Sequence, residues 1–134
     1  MLYFAYGSNL NKIQMKQRCG DSIPVAKVTL KDYELVFNKY ADVIENKGQT
    51  VHGAIYKVSE IDIKNLDIYE GYPDLYKKVD VKVTDESGKE YNAFVYVMVV
   101  KGLKKPEEEY YNIIVEGYKN WGLCLDNLES ARGR

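Results

Sequence analysis

Apolar positions along the chain fall into short runs with two different periods. Leu2-Tyr3-Phe4-Ala5-Tyr6 is a continuous apolar and aromatic run of strand length, and it stops at Gly7-Ser8-Asn9, residues that favour a tight turn. Beyond the turn, Asn9 or Asn11 is placed to cap a helix that runs to about Arg18 and closes at Gly20. From Val25 to Asn38 apolar and polar positions alternate in two stretches, Val28-Thr29-Leu30 and Tyr33-Glu34-Leu35-Val36-Phe37, as in half-buried strands. Residues Tyr40 to Thr50 read as a loop. Val51 to Val58 reads as a strand, in which Gly53 marks a place where another backbone or a ligand approaches closely.

Ser59-Glu60-Ile61-Asp62 has the form of a capping box, so a helix starts there. It ends near Glu70, because Gly71 suits a left-handed C-terminal position and Pro73 bars continuation. On that helix Ile63, Leu66, Asp67 and Glu70 share one arc, while Ile61, Ile68 and Tyr69 occupy the opposite one. Periodicity leaves open which arc faces inward. Tyr76 to Thr84 and Glu90 to Val100 alternate on either side of Glu86-Ser87-Gly88-Lys89, which predicts a β-hairpin. Pro106 and Glu107-Glu108-Glu109 open a last helix, running to about Asn120, with acidic residues at the positive end of its dipole. The tail from Glu129 to Arg134 is expected to fray, leaving residues 1–128 as a single domain. Elements in this order, without regular β-α-β alternation or an internal repeat, make an α+β domain.

Composition narrows the function. A chain of 134 residues has room for one core, and 46% hydrophobic with 29% charged residues is the balance of a folded protein. A net charge of −1 supplies no field to gather phosphates or an anionic membrane surface, so nucleic acid and membrane are not expected partners. The longest apolar runs, such as Phe94 to Val100, fall far short of the roughly 20 residues a membrane helix needs. The N-terminal segment lacks the basic leader of a secretory signal, which makes a cytoplasmic protein the expectation. Cys19 and Cys124 stand alone, without His or Cys at metal-ligand spacing, and are read as reduced thiols with no metal. His52, the sole histidine, has no Ser or Cys partner pattern and is read as structural. Lys101 to Lys105 reads as a loop, since glutamates follow at once.

Two short segments carry chemistry. In Tyr6-Gly7-Ser8-Asn9, between strand and helix, successive amides and the helix N-terminus converge on one place, as in an anion-holding turn. Ser8 and Asn9 add side-chain donors there. A plain turn with a helix cap is the competing reading. Glu70 meets the negative end of its helix dipole, which raises its pKa, as partial burial does too; both shifts favour general acid/base work. A solvated surface carboxylate is the alternative, and Asp67 one turn earlier is the competitor.

The run Tyr3-Phe4-Ala5-Tyr6-Gly7-Ser8-Asn9-Leu10 resembles the N-terminal signature of the γ-glutamylcyclotransferase-like family. The likeness continues in Val51-His52-Gly53-Ala54-Ile55-Tyr56, in Leu66-Asp67-Ile68-Tyr69-Glu70-Gly71, and in Pro106, Tyr110, Ile114, Gly117 and Gly122-Leu123, so it spans nearly the whole chain. The resemblance implies a small mixed or antiparallel β-barrel flanked by helices, with the Tyr6 to Asn9 loop and Glu70 facing one cavity. It also implies that Tyr76 and Tyr110 contribute phenols to that cavity. The implied activity is cyclisation of a γ-glutamyl amide to 5-oxoproline with release of an amine or amino acid. In it Glu70 serves as general acid/base, Tyr6, Gly7, Ser8 and Asn9 hold the γ-glutamyl group, and no cofactor is needed. A non-catalytic carboxylate-binding module of the same fold, or an amide hydrolase or acyl transferase using Glu70, stays open. So do the substrate beyond its γ-glutamyl portion and the oligomeric state.

Overall fold

The apolar N-terminal run becomes β1 (Leu2–Ala5), a strand of a five-stranded closed barrel. The computed structural model describes residues 1–133. β1 pairs antiparallel with the end of β3 (Tyr40–Lys57), from Leu2 against Lys57 to Ala5 against Ala54. On its other side it meets β5 (Glu90–Met98) in parallel, Tyr3 against Phe94. β2 (Ile23–Asn38) and β3 form a long hairpin turning at Lys39, whose φ of 69° is left-handed. β4 (Tyr76–Asp85) and β5 form the expected second hairpin, in register from Tyr76 against Met98 to Thr84 against Glu90. Two pairings between β2 and β4, Val28 with Asp85 and Thr29 with Thr84, close the order β1-β3-β2-β4-β5 into a barrel. With one parallel contact among antiparallel ones, the barrel is mixed.

Among the described residues four α-helices flank it: α1 (Lys12–Arg18), α2 (Glu60–Glu70), α3 (Glu108–Trp121) and α4 (Asp126–Arg132). Asn11 caps α1, accepting from the Gln14 amide at 3.1 Å, and the helix stops on Cys19, one residue before Gly20. The capping box of α2 forms as the sequence predicts: the Asp62 amide donates to Ser59 Oγ and the Ser59 amide to Asp62 Oδ2, each at 3.1 Å. Gly71 closes the helix at φ 66°. Leu66 is fully buried while Ile61 and Ile68 are exposed, so the arc shared by Leu66 and Glu70 faces the barrel.

Two expectations are corrected. Residues 40 to 50 are not a loop; they open strand β3, with Ala41, Asp42 and Val43 buried opposite Phe37, Val36 and Leu35. A buried carboxylate at Asp42 hides the apolar pattern. A register shift opposite Asp32, where residues 46 to 49 arch away from the ladder, breaks the alternation. The expected frayed tail is instead largely α4, held by the buried Leu128 and Ala131; Arg134 lies outside the described residues.

Two glycines let elements touch backbone to backbone. A Cβ on Gly53 would stand 2.3 Å from the Ala5 carbonyl oxygen, so it is β1 that makes the close approach expected at that position. A Cβ on Gly117 would stand 2.5 Å from the Asn11 amide nitrogen. α3 thus lies directly against the turn after β1, and Trp121 Nε1 donates to the Leu10 carbonyl at 3.0 Å.

Candidate active site

The segment after β1 turns sharply because Gly7 to Leu10 coil into one 3₁₀ turn, its first bonds running from Leu10 N to Gly7 O and from Asn11 N to Ser8 O. The amides of Gly7, Ser8 and Asn9 precede those bonds and have no acceptor within the turn, as at any helix start. Space is tight at this point: a Cβ on Gly7 would press on the Ala41 methyl at 3.1 Å. Across from the turn, the last residue of α2 brings in Glu70.

Every site residue expected from the sequence lines one narrow cavity: Tyr6, Gly7, Ser8, Asn9, Glu70, Tyr76 and Tyr110. Tyr3, Ala41 and Tyr96 complete it. The sequence does not single these three out. Tyr3 and Tyr96 are two of 13 tyrosines, and Ala41 acts through its peptide group, which leaves no mark on residue type. The cavity holds about 20 Å³, room for one water. A larger hollow of about 270 Å³ lies at the seam where β2 meets β4, lined by Lys27, His52, Asp85 and Cys124 among others; it shares no residue with the first.

The Ala41 peptide organises the phenols. Its carbonyl accepts from Tyr76 Oη at 2.6 Å and, at 3.4 Å, from Tyr6 Oη, whose main acceptor is the Tyr96 carbonyl at 2.7 Å. Its amide donates to Tyr110 Oη at 3.1 Å. The protons of Tyr6 and Tyr76 are therefore taken up by backbone, and these two phenols offer lone pairs to the cavity. Tyr110, an acceptor, keeps its own proton for it. Burial pushes the ionisation of Tyr3, Tyr6, Tyr76 and Tyr110 well above the ordinary phenol value, so all four are neutral near pH 7.

The two candidate carboxylates are sharply different. Asp67 is engaged: Lys78 Nζ lies 2.9 Å from Oδ1, which also accepts from Tyr96 Oη at 2.6 Å. The half-buried Glu70 carboxylate has no hydrogen bond or ion pair among the described residues. Burial raises its pKa from 4.5 to about 7, against a downward pull from Arg18. Arg18, at the end of α1, is itself fixed by three contacts. It donates to Asn9 Oδ1, donates to Gln14 Oε1 at 3.0 Å, and lies 3.4 Å over the Tyr69 ring. Tyr69 in turn shares a 3.0 Å hydrogen bond with Ser8. Among the described residues, no group of three or more His, Cys, Asp or Glu is placed to hold a metal, and no helix is long and apolar enough to cross a membrane.

One cavity thus holds the Glu70 carboxyl, its pKa raised to about 7, with the Gly7 to Asn9 turn, and phenols form its walls. Comparison with known proteins identifies the family. Residues 3–119 match the family described as gamma-glutamyl cyclotransferase, AIG2-like. The human gamma-glutamylcyclotransferase is 30% identical over 146 residues, an alignment covering 98% of this chain and 77% of that protein; the mouse protein of the same name is 28% identical with the same coverage. A solved gamma-glutamyl cyclotransferase superposes with a TM-score of 0.89 at 28% identity, covering 98% of this chain and 86% of that one. The chain belongs to the gamma-glutamyl cyclotransferase, AIG2-like family of cyclotransferase enzymes.

Proposed function

We propose that this enzyme cyclises a γ-glutamyl amide to 5-oxoproline, releasing an amine or amino acid, with Glu70 as its general acid/base. The observation that carries the reading is the meeting of Glu70, unpaired and with a pKa raised to about 7, with the Gly7 to Asn9 amides in one cavity. The substrate's α-ammonium must lose its proton before nitrogen can attack the γ-carbonyl. A carboxylate with a pKa near the working pH accepts a proton and can also give it up. The first proton leaves to solvent; Glu70 takes the second as the C–N bond of the ring forms and returns it to the departing nitrogen as the amide bond breaks. The released amine then regains a proton from solvent, so the count balances.

The rest of the cavity orients the substrate. Lone pairs on Tyr6 and Tyr76 suit the substrate's amino group, while the turn amides and the Tyr110 hydroxyl suit its carboxylate or the carbonyl oxygen as it gains charge. Holding both ends folds the γ-glutamyl chain into a near-attack shape, and that is where much of the acceleration of a ring closure arises.

Incubation with a panel of γ-glutamyl amino acids and γ-glutamylamines should release 5-oxoproline; free glutamate as the product would make the enzyme a hydrolase instead. Glu70→Gln should bind substrate but turn it over at least 10²-fold more slowly, within the range expected for loss of a general base. An unchanged rate in that variant would remove Glu70 from the chemistry.

A further inference from the structure

The side chain of Asn9 does not point its polar atoms freely into the cavity. Arg18 donates to its Oδ1, and a guanidinium has no acceptor atom, so the oxygen of the amide must face Arg18 and the nitrogen must face the other way. Nδ2 then donates to Tyr3 Oη at 3.0 Å. Tyr3 is forced to accept. Its own hydroxyl proton has no acceptor among the described residues, although the side chain is 95% buried and the residue lines the cavity. The order of donors is thus fixed from the outside inward, beginning with a cation that Gln14 and the Tyr69 ring hold in place. Tyr6, Tyr76 and Tyr96 give their protons to the protein; Tyr3 does not.

We infer that Tyr3 is a further catalytic residue, presenting its hydroxyl proton to an oxygen of the bound γ-glutamyl group, and that Arg18 and Asn9 are the positioning residues that set the direction of this hydrogen bond. The inference rests on the γ-glutamyl reading of the site. It assigns Asn9 an indirect role, acting on the substrate through Tyr3.

Two substitutions test it. Tyr3→Phe keeps the ring that packs at 5.5 Å on Phe94 and 5.8 Å on Tyr96, so the fold should be retained, with Tm lowered by the Asn9 Nδ2 donor left without its acceptor, while kcat/KM falls about tenfold, the usual worth of one lost hydrogen bond. Asn9→Asp leaves Arg18 its acceptor but offers Tyr3 only oxygen, so the Tyr3 proton turns away from the cavity and the variant should show a similar loss. The double variant should be no worse than either single one, each rate being taken on the plateau of its own pH profile. Additive losses would overturn the relay, and a Tyr3→Phe enzyme with the native kcat/KM would overturn the role of Tyr3. Calorimetric binding of the same panel of γ-glutamyl compounds separates this from the wider reading. A native protein that binds a member of the panel but yields 5-oxoproline from none refutes the cyclisation, and about tenfold weaker binding of that compound to Tyr3→Phe still upholds the donor. Equal binding by the two proteins removes that donor, and no binding to the native protein overturns both.

Discussion

At Glu70 a single carboxyl answers two opposed demands, because the burial that suits it to the proposed proton transfer also makes its charged form costly. Its pKa is raised from 4.5 to about 7, burial being the cause and Arg18 the partial restraint. Between those values the folded protein keeps a proton that the unfolded chain has lost, so stability falls as pH rises through the interval and levels off above about 7. At about 1.4 kcal/mol per pH unit, the penalty at pH 8 reaches up to about 3 kcal/mol. Glu70→Gln should therefore be more stable than the native enzyme at pH 8 and equal to it at pH 4, by denaturant titration at the two pH values. A variant equally stable at both would mean the carboxyl is solvated. In the native enzyme the same group should make kcat/KM fall as pH drops below about 7. Asp67→Asn, one turn earlier, should leave that limb in place, since the Asp67 charge is already neutralised by Lys78.

Among the elements, those governed by nearby residues are legible in the sequence. The capping box at Ser59 and Asp62, the left-handed Gly71, and the hairpin from Tyr76 to Met98 each depend on a few adjacent side chains, and each forms where the pattern places it. The start of β3 is not legible. Its buried Asp42 is satisfied by the amides of Val43 and Met98 and by Lys101, partners that only the closed barrel supplies. Which arc of α2 faces inward is likewise settled by the barrel.

The packing of α3 on the 3₁₀ turn gives an element-scale prediction. Gly117→Ala would drive a methyl into the Asn11 backbone, where no flexible side chain can yield. Overpacking of this kind costs about 1–3 kcal/mol and should outweigh the roughly 1 kcal/mol that alanine gains in a helix. It should also lower kcat/KM, because the turn that moves is the one carrying Gly7 to Asn9. Ser59→Ala is the control: it should cost about 1 kcal/mol in chemical denaturation yet leave kcat/KM unchanged, its cap lying three turns from Glu70. A stabilised Gly117→Ala enzyme would show that α3 does not fix the turn.

The whole molecule's contribution is convergence: β1, the turn after it, β3, α2, β4, β5 and α3 each send one or more groups to one cavity. Glu70 and the Tyr6 to Asn9 segment are recognisable as motifs, but the Ala41 peptide that binds Tyr6, Tyr76 and Tyr110 together has no counterpart in residue type. That peptide is placed from outside the site. Asp42, next along β3, accepts from the Met98 amide of β5 at 2.8 Å and pairs with Lys101 at 3.0 Å, joining two strands and the segment after β5. Lys101 is partly exposed while Asp42 is 1% exposed, so removing the cation leaves a buried carboxylate with only backbone amides for company. Lys101→Met should then cost about 1–3 kcal/mol in chemical denaturation, below the 3–5 kcal/mol of a fully enclosed pair because water reaches the lysine. Asp42→Asn in the same background should recover part of that loss, since a neutral amide oxygen still accepts from Val43 and Met98 and no longer needs a counter-charge. The kinetic signature should be a raised KM, because Ala41 carries the phenols proposed to orient substrate. Native stability and KM in Lys101→Met would show that the Ala41 peptide is held by the strand ladder alone.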